Sequence, residues 1–123
     1  MEELYKDLIL FHWKSPQNYG KLKDANKSFF LENPFCGDAI KMEAKIEKGK
    51  IKKIKFSGKG CIISKASASL LTEYAKGKSI EEIKKLDKDF VLKLLGIELS
   101  PTRLKCALLP LEVLQKLVQL KEK

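Results

Sequence analysis

The sequence predicts an α+β fold: a small three-stranded antiparallel sheet, roughly residues 28–57, with helices packed on one face. Three observations predict it. Ile40, Met42, Ala44 and Ile46 alternate with mostly charged residues, the period-two pattern of a half-buried strand. The turn Glu47-Lys48-Gly49-Lys50 then sends the chain back into a second apolar run. The flanking segments carry apolar residues at helical spacing, with Gly, Pro and Ser at their ends. At 123 residues the chain reads as one domain, 1–123, long enough for a real core.

Taken in order, residues 2–13 read as a helix, with Leu4, Leu8 and Phe11 as its apolar stripe and Pro16 as its stop. His12, the single histidine, sits among apolar neighbours and is expected to be structural. Asn18-Tyr19-Gly20 and the polar residues 21–27 read as loop, and Phe29–Leu31 as the start of a first strand. Strands follow over 40–46 and 51–56, with Ile54 and Phe56 on one face. Ser57-Gly58-Lys59-Gly60 reads as a lead into Cys61 and a helix over 62–76, whose stripe is Ile62, Ala66, Leu70 and Tyr74. Gly77 ends that helix, and Ser79 with Glu82 has the spacing of a capping box for a short one. Asp87 to Leu95 is another, closed by Gly96. Ser100-Pro101 opens the last, with Leu104, Leu108, Leu111, Leu114, Leu117 and Val118 as its stripe and Pro110 as an awkward interior residue.

Composition narrows the function. No apolar run approaches the roughly 18 residues of a membrane span, and the acidic Met1-Glu2-Glu3 start does not resemble a secretory signal. A cytoplasmic protein without membrane partners is expected. The net charge of +9 comes from 24 Lys and one Arg, with Lys spread along the chain among Glu. Nucleic-acid binders concentrate Arg and aromatics on one surface, so no nucleic-acid partner is expected. The lysines read as solvated surface, with attraction to an acidic partner as the alternative.

Three cysteines at intervals of 25 and 45 residues do not suit a disulfide framework. They suit thiolate chemistry. Cys36 lies in Asn33-Pro34-Phe35-Cys36-Gly37-Asp38, where Gly37 lets the chain turn so that Cys36 and Asp38 can face one point. Cys61 starts a helix and Cys106 lies near the start of another, where the helix dipole favours a thiolate. Together with Asp38 they make a Cys₃Asp set that suits zinc or the outer ligands of a 2Fe–2S cluster, although the intervals match no short zinc pattern.

Four stretches together resemble the U-type iron–sulfur scaffold family, the group that includes IscU, SufU and the N-terminal part of NifU. They are His12-Trp13-Lys14-Ser15-Pro16-Gln17-Asn18-Tyr19-Gly20, Asn33–Asp38, Gly60-Cys61-Ile62-Ile63-Ser64-Lys65-Ala66-Ser67-Ala68-Ser69, and Ser100-Pro101-Thr102-Arg103-Leu104-Lys105-Cys106. The resemblance covers nearly the whole chain. It implies that Cys36, Asp38, Cys61 and Cys106 form one exposed site that takes sulfur from a cysteine desulfurase. That site would hold iron, zinc or a transient 2Fe–2S cluster and pass the cluster to apo iron–sulfur proteins. An oxygen ligand is harder than a thiolate and suits a cluster that must leave.

The chain departs from the family in places. Lys105 stands where the scaffold branch has His, which is similar to the zinc-dependent SufU branch. The short interval between Cys61 and Cys106 instead resembles the scaffold branch, because SufU proteins carry an insertion there. Leu99-Ser100-Pro101-Thr102-Arg103 replaces the Leu-Pro-Pro-Val-Lys that a DnaK-type chaperone reads, which argues against that partner. Three readings therefore stand: an assembly scaffold, a zinc-dependent sulfurtransferase, and a small domain with a structural zinc. The persulfide acceptor is expected at Cys106, with Cys36 as alternative and Cys61 the least available. Arg103, one turn before Cys106, reads as a stabiliser of thiolate or cluster, or as a plain surface cation. Lys105 reads as a cation beside the site. A homo-oligomer is compatible with the sequence.

Overall fold

The structure, a computed structural model, describes residues 2–34 and 37–120. The elements run α1 (Glu2–Lys14), β1 (Lys27–Glu32), β2 (Ala39–Glu47), β3 (Lys50–Lys59), α2 (Ile62–Ala75), α3 (Ile80–Lys84), α4 (Lys88–Leu95) and α5 (Pro101–Gln119). The three strands form one antiparallel sheet in the order β1-β2-β3. The α+β expectation holds: helices α2 and α5 cover one face of the sheet.

The alternation read from the sequence is what buries that face. Ile40, Met42, Ala44 and Ile46 of β2 point into the core with Ile54 and Phe56 of β3. Lys41, Glu43 and Lys45 point the other way. The β2–β3 turn places Lys48 and Gly49 at φ 53° and 73°, the two left-handed positions of a type I′ hairpin. The sheet is longer than expected. β3 continues through Ser57-Gly58-Lys59, which pair with Lys41, Ile40 and Ala39. Gly58 makes this close pairing possible: at φ 131°, a Cβ there would lie 2.0 Å from the Ala39 carbonyl oxygen.

The free edge of β3 is covered at both ends. Gly20 donates to the Phe56 carbonyl and Phe56 to that of Asn18, while Tyr19 stacks edge-on against Phe56. At the other end Gly77 and Ile80 donate to Ile51 and Gly49. Residues 21–25 then connect the β3 edge to Asn26, which pairs with Ala44 and Ile46 of β2. On the way Asp24 reaches Lys45 and Lys53 on the open face, and the hydrogen bond from Lys53 holds its carboxyl below the ordinary carboxylate value.

Two helix faces differ from the apolar stripes. In α1, where the side chains of residues 2–5, Leu4 included, lie outside the description, the buried positions among the described residues are Ile9 and His12, whereas Phe11 is 54% exposed. In α2, Ile62, Leu70 and Tyr74 are only partly buried. Besides Ile63 and Leu71, the buried positions are small or polar: Ser64, Ala66, Ser67, Ala68, Ser69, Thr72 and Ala75. Helix α2 packs against α1, α4, α5 and β3, so it has no solvent side wide enough for a simple stripe. Small side chains let its neighbours approach. Helix α5 runs through Pro110, which is buried; Ser79 and Ser100 cap α3 and α5 as their positions suggested, and Asp87, read as the first helical residue, is the N-cap of α4.

Candidate metal centre

Two loops and a helix meet at the end of the sheet where β2 begins and β3 ends. The first loop leaves β1 at Asn33 and re-enters β2 after Asp38. Asn33 donates to the Asp38 carbonyl at 2.7 Å and Gly37 to that of Asn33 at 2.8 Å, with Gly37 at φ 77°. This closure sets the buried Asp38 carboxyl, 4% exposed, facing the start of α2. Cys36 lies outside the described residues.

The second loop is Gly60-Cys61. Cys61 occupies the N-cap of α2 with extended backbone, the place usually held by Ser, Thr, Asp or Asn. Its sulfur takes the role of the capping oxygen, accepting the Ser64 N–H at 3.5 Å. The Cys61 N–H donates to Asp38 Oδ1 at 3.1 Å, and Cys61 Sγ lies 3.7 Å from Asp38 Oδ2. Gly60 fits where nothing larger could: a Cβ there would come within 2.1 Å of Ser64 Oγ. Ser64 is completely buried and also donates to the Cys61 carbonyl. The contribution of Ser64 was not singled out from the sequence. Its signal was a Cys in cap position with Ser three residues on, the spacing of a capping interaction.

Cys106 arrives from the second turn of α5. It is buried, 4% exposed. Ser67 of α2 donates to the carbonyl of the next residue, Ala107, at 2.7 Å inside the core, which ties the two sulfur-bearing helices together. One ligand atom each from Asp38, Cys61 and Cys106 all lie within 4.8 Å of one another. A tetrahedral zinc with Zn–S of about 2.3 Å holds neighbouring sulfurs about 3.8 Å apart. The three donors therefore need only a small contraction to close on a metal, and the soft thiol pair with one carboxylate fits zinc or iron chemistry.

The other expected participants are placed less centrally. Lys105 is exposed and, with Glu32, Asn33, Pro34, Leu108, Leu109 and Glu112, lines a groove of about 380 Å³ beside the site. Arg103 is exposed one turn before Cys106, its N–H capped by Ser100. Cys61 is partly exposed and Cys106 is buried. His12 is remote from the cluster and is buried against Ser69 of α2.

This arrangement has counterparts. A family model described as NifU-like N terminal domain matches residues 4–122. The chain belongs to that family. It is 36% identical over 115 residues to the iron-sulfur cluster assembly scaffold protein IscU 1 of Archaeoglobus fulgidus, covering 94% of this chain and 74% of that protein. It is 35% identical over 133 residues to the zinc-dependent sulfurtransferase SufU of Bacillus subtilis, covering 94% of this chain and 90% of that one. A crystal structure of a hypothetical protein superposes with a TM-score of 0.85 at 32% identity, covering 98% of this chain and all of the other. Within this family frame Asp38, Cys61 and Cys106 converge from three separate parts of the sequence. No helix among the described residues is long and apolar enough to cross a membrane.

Proposed function

We propose that this protein is an iron–sulfur cluster assembly scaffold. It receives sulfur from a cysteine desulfurase, assembles a 2Fe–2S cluster on Cys36, Asp38, Cys61 and Cys106, and passes it to apoproteins. The observation that carries this reading is the convergence of Asp38, Cys61 and Cys106 within 4.8 Å in a chain 36% identical to an IscU scaffold. Cys36, two residues before Asp38 in sequence, is the fourth ligand in this reading. Thiolates bind the soft cluster irons, while the harder carboxylate of Asp38 is the ligand that gives way when a recipient's thiolates arrive. Asp38 also orients Cys61 through its N–H, so one side chain both shapes the site and leaves it labile.

Sulfur reception is a thiol–disulfide exchange. The thiolate of Cys106, or alternatively Cys36, attacks the terminal sulfur of the desulfurase persulfide. A new S–S bond forms on the scaffold, the donor's S–S bond breaks, and the desulfurase leaves as a thiolate. Reduction to sulfide then takes two electrons from a thiol or ferredoxin. Cys106 must turn outward first, because it is 4% exposed.

A second reading is zinc-dependent sulfurtransfer. It is favoured by Lys105 immediately before Cys106 and by the 35% identity to SufU. Mass spectrometry of Cys36→Ser, Cys61→Ser and Cys106→Ser variants, after exposure to desulfurase and cysteine, separates the two. Persulfide lost with Cys106 supports the scaffold reading. Persulfide lost only with Cys36 favours the sulfurtransferase. Persulfide retained by all three variants ends both.

A further inference from the structure

The lysines are concentrated in space. Residues 39–60, the β2–β3 hairpin, hold eight lysines against Glu43 and Glu47, a net +6 of the chain's +9. The alternation that buries Ile40, Met42, Ile54 and Phe56 turns Lys41, Lys45, Lys53, Lys55 and Lys59 to the face that α2 and α5 leave uncovered. Asp24 takes up Lys45 and Lys53 at the hairpin end of this face. At the opposite end Glu43, cross-strand from Lys55, and Glu32, cross-strand from Ala39, share the face, but among the described residues no carboxylate lies within salt-bridge distance of Lys41, Lys55 or Lys59. Phe30 of β1 stands in register with Lys41 and is 47% exposed.

We infer that Phe30, Lys41, Lys55 and Lys59 form the docking surface for an acidic face of the protein that receives the cluster. The inference rests on the scaffold reading for the identity of the occupant, and on charge and position for the surface. Phe30 stands beside Lys41, with Glu32 and Glu43 flanking and Lys55 and Lys59 farther across the same face; an exposed aromatic on a surface of net positive charge is the anatomy of a protein interface, with the ring as anchor and the charges as rim. Lysine is a point charge that steers a partner without demanding paired geometry. Nucleic-acid surfaces use arginine and several stacking rings; the one Arg lies on α5, and among the described strand residues Phe30 is the one aromatic turned to this face. Position supplies the rest. Ala39 begins β2 beside Asp38, and Lys59 ends β3 two residues before Cys61. A body seated on this patch therefore borders the ligands it must relieve of their cargo.

The probe is an apo-ferredoxin of the acidic plant type, titrated calorimetrically into the metal-free protein at low and at near-physiological salt. Wild-type binding is expected to weaken as salt rises, because exposed charges are screened. Lys41→Glu with Lys59→Glu should weaken low-salt binding by about tenfold or more. Lys88→Glu with Lys93→Glu on α4, the same change in net charge, should leave it within about twofold. Phe30→Ala should weaken binding at both salts. Lys41→Gln with Lys59→Gln, which removes charge without reversing it, should fall between wild type and the Glu pair. Equal loss from the α4 pair would overturn the inference. So would a short DNA duplex or phosphatidylserine vesicles displacing the ferredoxin through the same lysines. Cluster loading is measured separately. If the wild type binds ferredoxin as described but never assembles a cluster, the scaffold reading fails and the surface stands. If it assembles and transfers clusters at rates the patch variants match, the surface fails and the scaffold reading stands.

Discussion

Helix α2 carries a polar cluster at each end, and the two are built from different chemistry. Toward its C-terminal half, Ser69 accepts the Gln17 N–H at 2.8 Å and lies 2.6 Å from His12 Nδ1. Thr72 donates to the Ala68 carbonyl and accepts from the Asn18 amide. Every contact there is short, oxygen or nitrogen to oxygen, and complete within the protein. At the N-terminal end, Cys61 meets Ser64 and Asp38 through sulfur contacts of 3.5–3.9 Å, which are weak as hydrogen bonds. The first cluster satisfies its polar groups and locks α1 and the 15–20 loop onto α2. The second holds the soft Cys61 sulfur in long, weak contacts. Burial of polar atoms does not by itself mark a site; the mismatch between the donors and their protein partners does.

The largest expected contrast comes from exchanging one residue in each cluster. Cys61→Ser should lower zinc affinity by about a hundredfold, since a hydroxyl is a poor ligand for soft centres. His12→Ala should leave affinity per folded molecule within about twofold but lower folding stability by about 2–3 kcal/mol, through the lost hydrogen bond and the cavity. Zinc competition titration and urea unfolding check both. Zinc loss in the His12 variant would make the two clusters one.

Asp38 sharpens the comparison because it belongs to both chemistries, as a ligand candidate and as acceptor of the Cys61 N–H. Asp38→Asn keeps an acceptor for that N–H but removes the anionic, easily displaced ligand. Cluster transfer to an apo-ferredoxin should slow by roughly tenfold, whereas Asp38→Ala adds disorder of Cys61 to the same loss. Transfer from the Asn variant as fast as from the wild type would remove Asp38 from the release step.

The smallest effect is a pH dependence confined to the satisfied cluster. Burial pushes the His12 imidazole below its ordinary value of 6.5, with Glu73 opposing. The unfolded chain then binds the proton first, so stability is full above pH 6.5 and declines as pH falls from there toward the depressed folded value. His12→Gln should flatten that part of the stability profile in denaturant titrations. An unchanged profile would show that His12 does not carry it.

Much of this was legible in the sequence because it follows from short-range rules. The β2 alternation, the Lys48-Gly49 turn and the caps at Ser79 and Ser100 each depend on neighbours a few residues away. What was not legible depends on distant packing. The polar buried positions Ser64, Ser67, Ser69 and Thr72 look like a solvent face until α1, α5 and the 15–20 loop are in place. Phe11 looks like core until α1 is seen to rest on Ile9 and His12. The even spread of lysine along the chain hid their gathering on one hairpin, because a strand's period of two sorts charge by face. For the site, Asp38, Cys61 and Cys106 could be named from the sequence, but their meeting within 4.8 Å is a property of the fold.

The most direct test of the account is anaerobic reconstitution of the protein loaded with zinc, using iron, cysteine, a thiol reductant and a cysteine desulfurase, recording visible absorption and zinc content together. The scaffold reading predicts a coloured protein with two iron and two acid-labile sulfide per cluster, lost in Cys61→Ser and Cys106→Ser and kept in His12→Ala. A protein that stays colourless, retains zinc and only accelerates the desulfurase would contradict it.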